Sequence, residues 1–192
     1  MERREVLKYT ALLTGAAVSA PLWGTILSGC NTASTESAET GRLLFFSPEE
    51  FALVTCLVGL ILPKTDSPSA TDVGVDYTID SMVGAVYKET DKSNFKKGFD
   101  ALSDYLNNAT EGQGILNLES GRQLSLLQEL DGSKDARWEE ARRAFLDLKQ
   151  QTIAYYLSTK EIATNYLTYL PVPGAYKACI TVEEAGGKAW AL

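Results

Sequence analysis

Cys30, Cys56 and Cys179 are the only thiols in this 192-residue sequence, and there is no histidine to stand beside any of them. Without imidazole there is no Ser-His-Asp or Cys-His catalysis, no His-ligated zinc and no His-ligated haem. The sequence also lacks Cys-x-x-Cys-His, Gly-x-Gly-x-x-Gly and a Walker loop, so neither covalent haem nor a nucleotide site announces itself. Carboxylates remain, Asp66, Asp72, Asp76 and Asp80 among them. Their spacing defines no acid–base pair, which makes an enzyme built on them the weakest reading of the residues.

The thiol with a clear chemical role is Cys30. It closes Leu27-Ser28-Gly29-Cys30, which resembles the bacterial lipoprotein box: small residues admit a peptidase, and the thiol carries a diacylglycerol. Upstream, Arg3-Arg4-Glu5-Val6-Leu7-Lys8 fits a twin-arginine export signal. Tyr9 to Leu27 is only moderately apolar, with Pro21 and several hydroxyls, and suits a cleavable segment better than a permanent span. The alternative is an uncleaved N-terminal helix. Asn31 to Gly41 is Ser/Thr/Glu-rich with no large apolar residue, a composition that cannot bury enough surface to order itself. The expected organisation is therefore a leader over 1–29, a flexible tether over 30–42 and a folded domain over 43–192. The protein is expected to be exported and lipid-anchored on the periplasmic side of the envelope.

With Cys30 lipidated, Cys56 and Cys179 remain, in a compartment that oxidises thiols. A bridge would close about 120 residues and be worth about 4–5 kcal/mol in the chain-entropy model. Equally, Cys56 sits among Leu53, Leu57 and Leu60, where a buried free cysteine is ordinary.

The domain that carries these groups reads as helical. Ser47, Pro48 and Glu50 spell a helix start with a capping box. Phe51, Val54, Val58 and Ile61 share one face, and Leu53, Leu57 and Leu60 widen it, so this helix is expected to be buried on most sides up to Pro63. Short helices are predicted around Ile79, Met82, Val83 and Val86, around Phe95, Phe99, Leu102 and Leu106, and around Leu124, Leu127 and Leu130. The longest is predicted over Ala136–Tyr156, with Trp138, Ala141, Phe145, Leu148 and Thr152 as its stripe and Glu139–Arg143 as an outer-face ion pair. The tail, with Pro171, Pro173 and several glycines, is expected to be an extended, irregular arm. The fold class is all-α, a single irregular helical domain. The net charge is −7, and the leader's charges are Arg3, Arg4 and Lys8 against Glu2 and Glu5, so the remainder is one unit more acidic. Such a domain is a poor partner for nucleic acid.

Two blocks, FFSPEEFALVTCLVGLILPKTDSPSATDVGVDYTID and TIAYYLSTKEIATNYLTYLPVPGAYKAC, together with the leader, resemble the gluconate 2-dehydrogenase subunit 3 family. The specific pieces are Ile61-Leu62-Pro63 with Thr65-Asp66, the pairs Gly74-Val75 and Ile79-Asp80, and Pro171-Val172-Pro173-Gly174 with Tyr176 and Cys179. The chain departs from the family's glycines at Ser69, Tyr155 and Ile162 and from its acidic residue at Lys160. The resemblance implies a small subunit of a membrane-associated, FAD-dependent gluconate or sugar dehydrogenase, without a catalytic, cofactor or metal site of its own. The flavin then sits in a large subunit of the glucose-methanol-choline type, and electrons often leave through a multihaem cytochrome c subunit. A flavoprotein loaded in the cytoplasm must cross the membrane folded, and the twin-arginine route carries folded proteins. A signal on the small subunit thus exports both, provided they bind first over an interface of more than about 2,000 Å². Tyr155, Tyr156, Tyr166, Tyr169, Tyr176 and Trp190 are the candidate contacts, since aromatics are enriched at such surfaces. For each tyrosine the alternative is the domain's own core. Pro171, Pro173 and Gly174 suit a stiff segment laid across a partner, the alternative being a surface crossover. A stand-alone envelope lipoprotein acting as a binding or scaffold module is the competing reading of the whole chain.

Overall fold

Ser47 starts the first helix as its neighbours dictate. In the computed structural model, which describes residues 42–170, 172, 174, 175, 179–184 and 186–191, α1 spans Pro48–Ile61. The Glu50 amide donates to Ser47 Oγ at 3.3 Å and the Ser47 amide donates to Glu50 Oε2 at 2.9 Å, closing the capping box. Lys96 Nζ lies 2.9 Å from the same carboxylate. Burial alone would push Glu50 up, but the Ser47 amide, Lys96 and the Ser47 hydroxyl together hold it below the usual glutamate range. A carboxylate depressed on folding stabilises above its unfolded pKa, and that contribution is lost as pH falls through the folded value. Glu50→Gln is therefore expected to lower Tm at pH 7, with the deficit shrinking below about pH 4. Thermal melts of both proteins from pH 7 to 3 check this, and a deficit that persists undiminished at pH 3 contradicts it.

Val54, Leu57 and Val58 of α1 are fully buried, and Phe51, Leu53, Leu60 and Ile61 pack on the core at its edge, so the helix is enclosed on most sides as expected. The chain then turns through Pro63–Gly74. Gly74 adopts a left-handed φ of 72°, open to glycine at little cost, and launches α2, Val75–Ser81. A π-helical turn, Met82–Val86, continues it. The sequence places Ile79, Met82, Val83 and Val86 on one face. Here the wider π turn breaks the 3.6-residue register, so Val83 is buried while Val86 is 63% exposed.

α3 (Glu89–Ala109) and α5 (Glu139–Ser158) form the most extensive helix pair. They approach closely at Gly98, where a Cβ would come within 3.2 Å of Ala144 Cβ. At 21 residues α3 is one longer than α5, which corrects the expected ranking. The predicted long helix instead opens with a 3₁₀ turn, Ala136–Trp138, in which the Asp135 carboxylate takes both the backbone amide and the guanidinium of Arg137. The α5 stripe of Ala141, Phe145, Leu148 and Thr152 is buried, and Glu139 pairs with Arg143 at 2.8 Å. α4, Ser120–Asp131, turns Gln123, Leu126, Leu127 and Leu130 inward. Leu124 faces solvent, because Gln123 reaches the Ile115 carbonyl at 2.8 Å and fixes the helix's rotation. A last short helix, α6 (Lys160–Asn165), buries Ile162. It is too short to show a period in the sequence.

The domain is all-α, with the tail beyond α6 irregular. The tail also returns on itself: the Thr168 amide donates to the Ala189 carbonyl at 2.7 Å, the Ala191 amide donates to the Thr168 carbonyl at 3.0 Å, and Lys188 Nζ donates to the Asn165 carbonyl at 2.8 Å. Among the described residues no helix is long and apolar enough to cross a membrane.

Candidate docking surface

Two parts of the chain almost ninety residues apart are pinned together by tyrosine hydroxyls. Tyr156, at the end of α5, donates to the Pro68 carbonyl at 2.8 Å and pairs with Ser67 Oγ at 2.9 Å. Tyr166, just after α6, reaches the Asp66 carbonyl at 3.4 Å. The loop they hold is also tied internally. The Ser69 amide donates to Asp72 and the Asp72 amide to Ser69 Oγ, at 3.0 and 3.1 Å, and Ala70 donates to the Leu62 carbonyl at 3.0 Å. The Ser69 amide and side chain, with Lys64 at 3.7 Å, hold Asp72 below the usual carboxylate range. Pro63, Lys64, Thr65 and Asp66 remain exposed beside α6.

Past this joint the chain exposes large apolar side chains. Tyr169 is 55% exposed, Trp190 48% and Val172 79%, and Leu170, Ile180 and Val182 are also exposed. Side chains of this kind offer contact area rather than a reacting group, and Tyr and Trp give that area at low conformational cost. No local motif in the sequence marks Leu170, Ile180 or Val182. A run of large apolar residues in a tail without helical period is the signal that finds them.

The structure sorts the predicted contact residues. Trp190 and Gly174 are exposed, the latter with a left-handed φ of 71°. Tyr155 is half-buried against the core, and burial, with Tyr87 beside it, pushes its hydroxyl up. Tyr156 is a correction: it is only 9% exposed and its hydroxyl is committed within the domain, so it braces the fold instead of offering a surface. Its inward orientation continues the Ala141–Phe145–Leu148–Thr152 stripe by one more step of four. Arg3, Arg4, Lys8, Cys30, Pro171, Pro173 and Tyr176 lie outside the described residues. Cys56 and Cys179 are free thiols. Cys56 is half-buried on α1, where burial pushes it up and away from reactive thiolate, and Cys179 is exposed in the tail.

The buried carboxylates are spoken for. Asp76 accepts from Thr55 Oγ1 at 2.9 Å and the Tyr77 amide at 3.0 Å, and Asp80 accepts three backbone amides of Leu44–Phe46. Among the described residues no cluster of three or more Cys, Asp or Glu is arranged to hold a metal ion. A cleft of about 510 Å³ opens between α3 and α5 over Phe95, Phe99 and Leu102. Several charges on its rim pair with neighbours: Arg143 with Glu139 at 2.8 Å, Arg137 with Asp135 at 2.7 Å, and Glu140 with Lys97 at 2.8 Å.

A family model described as gluconate 2-dehydrogenase subunit 3 matches residues 48–174 of the 192. No curated protein and no solved structure matches the chain.

Proposed function

The chain belongs to the gluconate 2-dehydrogenase subunit 3 family, and from that premise we propose that it is the non-catalytic small subunit of a membrane-associated, FAD-dependent gluconate or sugar dehydrogenase. In this reading it binds and stabilises the flavin-bearing catalytic subunit, carries that subunit through twin-arginine export, and stays on the periplasmic side of the envelope through a lipid on Cys30. A cytochrome c subunit then takes the electrons. The family match over 48–174 is the observation that carries the reading. It is supported by the leader's Arg3-Arg4 and Cys30 and by the exposed apolar tail. A chain without histidine, whose buried carboxylates are taken up by backbone and hydroxyl donors, suits gripping a catalyst better than being one.

Affinity purification of the full chain from its native membrane tests this. A flavin-containing chain is expected to co-elute. The double variant Tyr169→Ser, Trp190→Ser is expected to lose most of it while keeping its helical circular dichroism, because central aromatic contacts typically cost 2 kcal/mol or more each. A wild-type protein that elutes folded, colourless and alone contradicts the proposal and favours a stand-alone envelope lipoprotein.

A further inference from the structure

We propose that Leu43–Phe46 is a strap, held shut by Asp80, that opens and closes as a unit of its own and so ties the chain's entry into the domain to the folded state of α2. Asp80 is buried, and its carboxylate accepts three successive backbone amides: Leu44 at 2.7 Å on Oδ2, and Phe45 at 3.0 Å and Phe46 at 2.9 Å on Oδ1. Donor and acceptor lie 34–36 residues apart in sequence, so these bonds exist only once α2 has formed and docked. Charge-assisted bonds from backbone amides are among the stronger ones a domain makes.

The π turn that follows α2 supplies the other side of the seat. A Cβ on Gly84 would stand 2.5 Å from Leu44 Cβ and 3.0 Å from the Leu44 carbonyl carbon, so the strap lies against bare backbone. Its two rings then clasp α3. Phe45 meets Phe95 at 5.8 Å, and Phe46 meets Phe95 at 6.0 Å and Phe99 at 5.2 Å.

Opening the strap breaks its three bonds to Asp80 and its ring contacts with Phe95 and Phe99 of α3, and none of these involves α5. Two consequences follow. Four residues, about 13 Å of extended chain, are released from the domain. The aromatic floor of Phe95 and Phe99 loses its cover and becomes the kind of exposed apolar patch that marks an unfinished domain. A subunit whose α2 has not docked thus differs outwardly from a finished one. The use of that difference as a check before export rests on the carrier reading above. The separate opening of the strap does not, so a failure here and a failure of co-purification are distinct results.

Amide hydrogen exchange of the full chain, followed by NMR across a low-urea series, is the test. The amides of Leu44, Phe45 and Phe46 are expected to exchange at least about tenfold faster than those of Leu102, Leu106 and Leu148, through an opening nearly independent of urea. Asp80→Asn and Gly84→Ala are each expected to speed the strap amides at least about tenfold more, and the leucine amides by no more than the same factor, because global unfolding also opens the strap. Strap amides in the wild type that exchange only together with the leucines at every urea concentration would overturn the proposal. So would variants that leave the strap amides unchanged.

Discussion

Tyr156→Ala is expected to lower the unfolding free energy by about 3–5 kcal/mol, the range for emptying a buried aromatic site. The site has little means of collapsing. Tyr156 continues the buried stripe of α5, and its hydroxyl holds Ser67 and the Pro68 carbonyl of a loop that closes back on Leu62. Removing the ring leaves a hole under that loop and strands the carbonyl. Tyr156→Phe keeps the volume and loses only the hydrogen bonds, so it is expected to cost about 1–2 kcal/mol. Urea titrations followed by circular dichroism separate the two variants. A phenylalanine variant as stable as wild type would take the hydroxyl out of the account and leave the ring's volume alone responsible. Limited proteolysis gives the local counterpart, with cleavage in Pro63–Gly74 expected to accelerate in both variants.

The second large effect concerns export. Replacing both Arg3 and Arg4 with lysine preserves the charge of the N-terminal segment but removes the planar, five-donor guanidinium groups. If the proposed carrier role holds and the pair is read as guanidinium rather than as bulk positive charge, nearly all of this chain is expected to remain in the cytoplasm, together with the flavin subunit it would carry. Fractionation with a flavin-dehydrogenase assay on each fraction measures both at once. Continued appearance of dehydrogenase activity in the envelope contradicts the carrier role, because the catalytic subunit would then have another route out.

How far the residues alone lead differs along the chain. The start of α1 was legible because every part of it is local: Ser47, Pro48 and Glu50 act on one another within one turn. The α5 stripe was legible because a buried helix face repeats every three to four residues. Periodicity failed where rotation is set from outside. On α4, Gln123 and Leu126 turn inward and Leu124 does not, since the bond to Ile115 lies eight residues away. It also failed in the π turn, where the backbone leaves the 3.6 period and Val86 swings into solvent. Of two adjacent tyrosines, Tyr156 is buried and Tyr155 only half so, although composition gives them equal claim to a surface.

By itself, then, the sequence determined the helical class, the cap and stripes of the main helices, the family, and the chemistry a chain without imidazole must forgo. These are properties of residue types or of spacings within a few positions, where the backbone's own geometry fixes who meets whom. Only the tertiary structure decided that Asp80 serves Leu44–Phe46, that Tyr156 holds Pro68, and that the tail returns to Thr168 with its apolar side chains outward. Those contacts join groups 20 to 88 residues apart, and their pairing depends on how the intervening helices close, which no local pattern encodes.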